Sequence, residues 1–269
     1  MKAKEIRRYL TDASFDIRTT ETMIKKGIPE TRDEREKWID NHSPELGSLL
    51  DVFQADSRHG MLVILQGMDT AGKDGTVRRI FRNVNFTPRV CAFKSPTPDE
   101  AAHDYLWRIH KETPKRGEVV IFNRSHYEDV LITKVRHWID DAEATRRLRQ
   151  INDFERMLAE NGITVVKLFL HISKEEQRLR IQRRLDNKEK HWKFNLSDLE
   201  DRKLWDDFQE QYQAVIRATT TGYAPWYCVP SDSKSTRNII IMKILIAHLR
   251  SMKLRYPTVD DANWPTVVE

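Results

Sequence analysis

The sequence contains little cysteine and no long hydrophobic run. Its two cysteines, Cys91 and Cys228, match no metal-site spacing, so we expect free thiols without a chemical role. No apolar run approaches the ~20 residues that a bilayer-spanning helix requires, and the start, MKAKEIRRYLTD, lacks the apolar stretch of a signal peptide. We therefore expect a cytoplasmic globular protein without a membrane partner.

Internal repeats and low-complexity tracts are also missing, and charge of one sign does not dominate. The 46 Lys and Arg exceed the 41 Asp and Glu by five, a surplus that suits a polyanionic ligand without requiring one. With 39% hydrophobic residues among 269, the chain can fill a real core.

Five short apolar runs rich in β-branched residues predict strands at 61–65, 90–93, 119–122, 163–170 and 226–229. Helical stripes lie between them, namely Leu46, Leu49, Leu50 and Phe53 before the first strand, and Val77, Ile80, Phe81 and Val84 after it. Strands buried on both faces and separated by helices predict an α/β three-layer fold with a five-stranded parallel sheet and flanking helices.

Local start and stop signals support this alternation. Capping patterns occur at Thr97 before Pro98, at Ser173 with Glu176, and at Ser197 with Glu200. Gly60 and Gly162 precede strands, where we expect a left-handed residue after a helix. In parallel sheets ligands bind beyond the carboxyl ends of the strands, so the polar stretches after the first three strands should converge.

The stretch after the first strand predicts phosphate binding. Gly67, Gly72 and Lys73 satisfy G-x-x-x-x-G-K between a strand and an amphipathic helix, where backbone N–H groups and the lysine face phosphate oxygens. We expect phosphate contacts from residues of this loop, its helix and the polar stretch after the second strand: Gly67, Ala71, Gly72, Asp74, Gly75, Thr76, Arg79 and Lys94.

Two aspartates make this loop unusual. Asp74 replaces the Ser or Thr that holds Mg²⁺ in nucleotide-binding versions, and Asp69 lies inside the loop. A carboxylate ~4 Å from a phosphate oxyanion costs about 4 kcal/mol at an effective dielectric near 20. A bridging divalent cation or a transferred proton would offset that cost and make Asp69 catalytic. The alternatives are a solvated Asp69 and an Asp74 that only interacts with the helix dipole.

The third strand ends in Asn123 and Arg124, with Glu128 a turn later. Arg124 offers a planar guanidinium to a phosphoryl group in transfer, and Glu128 could hold a metal or a nucleotide hydroxyl. A capping or ion-pair role is the alternative for each.

A basic run, residues 178–193, holds seven Lys or Arg against two acids. We interpret it as a flap that closes over a phosphate donor, in which Arg180 and Arg184 share a helix face and can grip one phosphate. The alternatives are a solvated face and a nucleic-acid-binding surface; the latter leaves the 67–75 loop unexplained, so we expect no nucleic acid.

Four segments together resemble the polyphosphate kinase 2 family over about residues 45–250: GMDTAGKDGTVRRIF, FNRSHYEDV, RLDNKEKHWKF and APWYCVPSDSK. The His and Glu of NRSHYED are similar to the class III branch. The resemblance implies a P-loop kinase-like fold with a helical lid at about 178–205, inorganic polyphosphate as donor and a nucleotide as acceptor, with Mg²⁺. The first 44 residues have little counterpart in this family.

The resemblance also implies roles for individual residues. Catalytic residues are Asp69, Lys73, Arg124 and Glu128, lid arginines are Arg180 and Arg184, and residues tied to the acceptor are Asn123 and Glu128. Apart from the resemblance, Trp226 lies at the fifth strand and is a further candidate for a nucleotide contact, with packing in the core as the equal alternative. Asp69 holds Mg²⁺, with Glu128 as a candidate second ligand. The lid alignment leaves the roles of Lys188 and Lys190 open.

The hypothesis is a homo-oligomeric enzyme that phosphorylates AMP to ADP and ADP to ATP. We divide the chain into an N-terminal helical surface arm (1–44), the catalytic domain (45–254) and a C-terminal tail (255–269). The alternative function is an ATP-dependent kinase of the thymidylate kinase type, which predicts Ser or Thr at position 74, where this chain has Asp74.

Overall fold

A computed structural model describes residues 3–258, so residues 259–269 of the predicted tail lie outside the described part. The strands are β1 (Gly60–Gln66), β2 (Arg89–Ala92), β3 (Val119–Asn123), β4 (Ile163–His171) and β5 (Trp226–Pro230). The helices are α1 (Ala3–Ile6), α2 (Arg32–Asp56), α3 (Lys73–Ile80), α4 (Pro98–Ala101), α5 (Trp107–His110), α6 (Glu128–Val135), α7 (Asp141–Glu160), α8 (Lys174–Leu185), α9 (Leu196–Lys203), α10 (Trp205–Thr219) and α11 (Lys234–Ser251), with 3₁₀ turns at Arg7–Tyr9 and Lys188–Lys193.

The five strands form one parallel sheet in the order β2-β3-β1-β4-β5. The predicted α/β fold with a five-stranded parallel sheet is confirmed. The chain moves from β1 to β2 on one side, and after β3 it crosses to β4 on the other. The carboxyl ends of β1 and β3 therefore meet where the direction of winding changes, which is where open α/β sheets bind ligands.

Burial follows position in the sheet. Every residue of the central strand β1 is buried, whereas β2 alternates between half-buried and exposed residues, with Val90 46% exposed. The prediction that all strands are buried on both faces is wrong for β2, because it pairs only with β3 and forms an edge.

The N-terminal segment belongs to the same core. Helix α2 begins at a capping box between Thr31 and Glu34 and continues through residue 44 to Asp56, so the boundary drawn after residue 44 falls inside a helix. Its interior face carries Ile39, Ser43, Leu46, Gly47, Leu50 and Phe53. Charged residues dominate 26–44 and conceal the first part of this stripe. Tyr9, Phe15 and Ile17 are buried as well, so this segment is not a surface arm.

The predicted helix ends are partly correct. Thr97 forms a capping box with Glu100, the Ser173 side chain accepts from the Glu176 N–H, and Gly162 has φ 85°. Helix α9 is capped by Asn195, whose side chain accepts from the Ser197 N–H, and not by the predicted Ser197. Gly60 lies within β1, and the left-handed residue after α2 is Ser57, at φ 48°. Among residues 3–258, no helix has the length and apolar character to cross a membrane.

Candidate active site

The loop after β1 takes a conformation that requires its two motif glycines. Gly67 has φ 146°, and a Cβ there would stand 2.6 Å from the carbonyl oxygen of Leu170 in β4. Gly72 caps α3 at φ 100°, and its Cβ would stand 2.1 Å from Nη1 of Arg237. Neighbouring backbone and a buried guanidinium therefore leave no room for side chains, and φ values of this kind favour glycine.

The four predicted catalytic residues line one cavity beyond the ends of β1 and β3. Asp69 and Lys73 come from the phosphate loop, and Arg124 and Glu128 come from the loop after β3 and the start of α6. The remaining lining residues are Gly67, Met68, Ile132, Asp201, Phe208 and Tyr212. The convergence expected from the ends of parallel strands is therefore present.

Asp69 is paired with a cation in this cavity. Its Oδ1 lies 2.9 Å from Nη2 of Arg124, and its side chain is 20% exposed. Arg124 reaches this position from a left-handed backbone at φ 65°. Lys73 Nζ donates to the Gly67 carbonyl at 2.7 Å. The alternative of a solvated Asp69 remote from cations does not fit this geometry.

Burial shifts the protonation of the cavity groups in opposite directions. It lowers the pKa of Lys73, an effect that the charge of Asp69 partly offsets. It raises the pKa of the Glu128 carboxyl, and Arg124 and Lys73 act against that rise. The cavity therefore holds a lysine and a glutamate with shifted pKa values, a property common at functional sites.

Comparisons with known proteins show the family of this chain. Residues 30–257 match the family model described as Polyphosphate kinase 2 (PPK2). The chain belongs to the polyphosphate kinase 2 family. It is 50% identical over 225 residues to the AMP/ADP-polyphosphate phosphotransferase of Meiothermus ruber, covering 83% of this chain and 84% of that protein.

Two further relatives cover similar spans. The ADP-polyphosphate phosphotransferase of Rhodopseudomonas palustris is 37% identical over 248 residues, 87% of this chain and 85% of that protein. The crystal structure of polyphosphate kinase 2 from Arthrobacter aurescens TC1 superposes with a TM-score of 0.91 at 37% identity, covering 94% and 92% of the two chains. The P-loop kinase-like fold of this polyphosphate kinase 2 family member is thus shared by a solved relative.

Arg180 holds the phosphate loop from behind instead of facing the cavity. It is 5% exposed, and its Nη1 donates to the carbonyls of Thr70 and Ala71 at 3.0 Å. Its Nη2 donates to Ser231 and Asp232, and its Nε donates to Glu176. All five N–H donors of the guanidinium are occupied. The predicted phosphate contact of Arg180 is therefore wrong in this arrangement. The guanidinium points inward, towards the phosphate-loop carbonyls and the carboxylate of Glu176 one helical turn earlier.

The predicted lid region is a helical hairpin formed by α8, the 3₁₀ turn and α9, and one of its acids lines the cavity. Asp201 of α9 lines the cavity and accepts from Arg136, at the end of α6, at 2.5 Å. Arg184 donates to Asp198 at 3.0 Å within the hairpin, so in this arrangement it joins the two lid helices. Burial, followed by the charge of Asp69, raises the pKa of Asp198 to about 6.

Asp198 and Asp201 were not found from the sequence. Burial raises the pKa of Asp201 too, against the hydrogen bond from Arg136. Their only sequence signal is a pair of acids three residues apart, and therefore on one helix face, in a segment otherwise chosen for its basic residues.

A cationic groove lies on the other side of α3. Its lining includes Arg32, Arg35, Arg79, Arg183, Lys234 and Arg237, the acids Glu36, Glu176 and Asp232, and the predicted phosphate ligand Gly75. The groove has a volume of about 480 Å³. Burial and the nearby Arg180 lower the pKa of Arg237 to about 9. Positive charge in this groove is therefore not fully balanced by its acids.

Several other predicted ligands contact protein groups in this structure. Asn123 donates to Asp74, which therefore has a specific partner. Thr76 is buried and donates to the Gly72 carbonyl, and Arg79 pairs with Glu36 and Asp40 of α2.

Two predicted ligands lie away from the cavity. Lys94 lines a separate groove along the edge strand β2. Trp226 is 1% exposed and donates to Thr219 Oγ1 at 2.9 Å, so its predicted nucleotide contact is wrong. It is the first residue of β5 and lies at the opposite edge of the sheet from the site.

Proposed function

We propose that this protein transfers phosphoryl groups from inorganic polyphosphate to AMP and ADP, forming ADP and ATP in a Mg²⁺-dependent reaction. The observation that carries the proposal is the meeting of Asp69, Lys73, Arg124 and Glu128 in one cavity. The name of the Meiothermus ruber relative, which is 50% identical, supports the donor and both acceptors.

The donor is assigned to the phosphate loop. Its terminal phosphates lie against the loop N–H groups and Lys73, and Arg124 stabilises the charge that spreads over the phosphoryl oxygens during transfer. Gly75, two residues after Lys73, borders the cationic groove. The rest of the polyphosphate donor is assigned to this groove, whose unbalanced positive charge suits a linear polyanion.

The acceptor nucleotide is assigned to the opposite side of the cavity, near Glu128, Asp201 and Tyr212. A terminal phosphate oxygen of the nucleotide attacks the last phosphorus of the donor. The bond from that phosphorus to its bridging oxygen breaks, and the shortened chain leaves with the bridging oxygen. Asp69 accepts a proton from the attacking phosphate or orients it, and Arg124 keeps Asp69 in place.

The acids of the cavity fit a divalent ion. Asp69, Glu128 and Asp201 offer the oxygen ligands that Mg²⁺ prefers, and this ion is commonly held by one or two carboxylates together with substrate phosphates. Within residues 3–258, no group of three or more acids, histidines or cysteines is arranged to hold a metal alone. Asp69, with Glu128 as second ligand, would hold an Mg²⁺ that neutralises phosphate charge.

The lid must open for substrates to enter. The cavity measures about 40 Å³, whereas pockets for drug-sized ligands measure roughly 300–1,000 Å³. The contact between Asp201 and Arg136 closes one side of it, so its release is the expected entry step. The homo-oligomer expected from the sequence stays a prediction.

A direct assay tests the proposal. Purified protein is incubated with AMP or ADP, Mg²⁺ and polyphosphate, and nucleotides are separated by chromatography, with EDTA and Lys73→Ala as controls. We expect ADP and ATP from AMP, and ATP from ADP. Turnover with ATP as donor and none with polyphosphate would favour the thymidylate kinase type instead.

A further inference from the structure

The segment between β3 and α6 divides its side chains between two environments. Arg124 and Glu128 line the cavity, whereas Ser125, His126 and Tyr127 between them are fully buried. The proposed chemistry uses only the first pair. The buried side chains enter a cluster of ionisable groups on the inner side of this segment.

The centre of this cluster is an ion pair between Lys167 of β4 and Glu155 of α7, both 0% exposed and 2.5 Å apart. Lys167 Nζ also donates to the Tyr127 hydroxyl at 3.0 Å and to the Thr219 carbonyl at 2.6 Å, so all three ammonium protons are used. The Tyr127 hydroxyl donates to Glu155 Oε1 at 2.7 Å. Tyr127 is thus bonded to both charges.

Each member of the pair favours the charged form of the other. Burial acts to raise the pKa of Glu155, but the charge of Lys167 and the contacts with His126 and Lys167 together outweigh it, so this pKa lies below its ordinary value. Burial lowers the pKa of Lys167, and Glu155 acts against that fall. Burying two charges is costly, and apolar residues of similar volume often give equal or greater stability. Fold stability alone is therefore a weak reason for this pair.

The backbone between β3 and α6 offers a local reason for the buried Lys167–Glu155 pair. Arg124 has φ 65°, a left-handed conformation that is unfavourable for an L-residue because its Cβ approaches the following carbonyl oxygen. Such strain persists only where surrounding contacts fix the chain. Tyr127 lies three residues later, and α6 begins at the next residue, Glu128. An anchor at Tyr127 therefore fixes the strained turn on one side and the first residue of α6 on the other.

We propose that Tyr127, held by the buried Lys167–Glu155 pair, is a positioning residue that fixes Arg124 and Glu128 in the cavity. The kinetic consequence rests on the proposed function. The phosphate loop is held separately, by Arg180 and Arg237 on its carbonyls. Loss of the anchor should therefore slow phosphoryl transfer and leave donor binding intact.

The test replaces Tyr127 by Phe, which removes one oxygen atom. Tyr227→Phe is the matched control, because Tyr227 is also buried and loses one hydroxyl contact, 2.9 Å from His248, outside both proposed substrate sites. For Tyr127→Phe we expect kcat to fall at least ten-fold and the donor KM to change less than two-fold. Amide hydrogen exchange should rise in residues 124–130 and not in 67–76. The control should match the wild type in kcat and in exchange at 124–130.

A second variant separates positioning by the ion pair from the loss of a single hydroxyl group. Lys167→Met combined with Glu155→Gln removes both charges together, and the same local rise in exchange is expected.

The outcomes are distinct. Wild-type kcat and wild-type exchange at 124–130 in Tyr127→Phe would overturn the positioning role. So would an exchange increase spread evenly over the chain. If the wild-type protein does not use polyphosphate, the proposed function fails, while the exchange data still decide whether Tyr127 anchors this segment.

Discussion

Arg237 lies so close to Gly72 that a β-carbon at position 72 would stand 2.1 Å from Nη1 of the arginine. The same nitrogen donates to the Ala71 carbonyl at 2.7 Å, so the guanidinium cannot withdraw without losing its hold on the phosphate loop. The motif glycine is therefore needed for this buried arginine as well as for φ 100°.

This contact predicts opposite effects of two alanine substitutions. Gly72→Ala should lower the free energy of unfolding by more than about 1 kcal/mol, because the conformation and the space both oppose a side chain. Gly75→Ala is the control, since a Cβ there meets nothing within 4 Å and α3 should gain about 0.5–1 kcal/mol. Urea unfolding of both variants measures the difference. Equal stability of the two would contradict the packing described.

Arg180 and Arg184, which the sequence treats alike, should differ in stability. Arg180→Ala leaves several buried carbonyls without a donor and should cost at least about 3 kcal/mol. Arg184→Ala removes a partly buried contact to Asp198 and leaves fewer buried acceptors without a donor, so it should cost less, about 1 kcal/mol. Thermal and urea unfolding compare them directly. A larger loss for Arg184→Ala would show that the buried network is not the stronger one.

Substitutions of the phosphate-loop residues Lys73 and Asp69 should have large kinetic effects. Lys73→Ala and Asp69→Asn should each lower turnover at least ~100-fold, because each removes an interaction made with the phosphates in transfer. Circular dichroism and melting temperature verify that both variants are folded. A mild effect of Asp69→Asn would restrict this residue to its pairing with Arg124.

The lid acid Asp198 should make stability depend on pH. Its folded pKa, about 6, exceeds the ordinary value of 3.8, so the folded state binds the proton more tightly. The resulting stabilisation is complete below pH 3.8 and is lost as the pH rises through about 6. Asp198→Asn should therefore melt higher than the wild type at pH 8, and the difference should shrink towards pH 4. A constant difference across this range would exclude Asp198 as the titrating group.

The cationic groove should make donor use sensitive to salt. Added salt screens charges, so the polyphosphate KM should rise steeply with ionic strength. Arg32→Ala with Lys234→Ala should raise this KM at low salt and flatten its salt dependence. Lys115→Ala with Arg116→Ala removes two cations at the amino edge of the sheet and serves as the control. The same salt response in both double variants would remove the groove from the donor path.

The sequence alone determined the fold and the centre of the site. Runs of β-branched residues gave strands in nearly the observed places, because burial between helix layers demands apolar residues. The Gly67–Lys73 motif fixed the phosphate loop, because so tight a turn requires glycine. Asp69 and Arg124 were predicted to meet, because the carboxyl ends of parallel strands share one edge.

Tertiary structure decided which charged residues face the cavity and which are buried and hydrogen-bonded inside the protein. Arg180 looked like a phosphate ligand, but the folded chain surrounds it with carbonyl oxygens from two loops. Lys167 lies in an apolar strand, and its burial is explained only by its contacts with Glu155, twelve residues earlier, and with Tyr127. A side chain's charge is local information, whereas its partners come from segments far apart in the chain, and only folding brings those together.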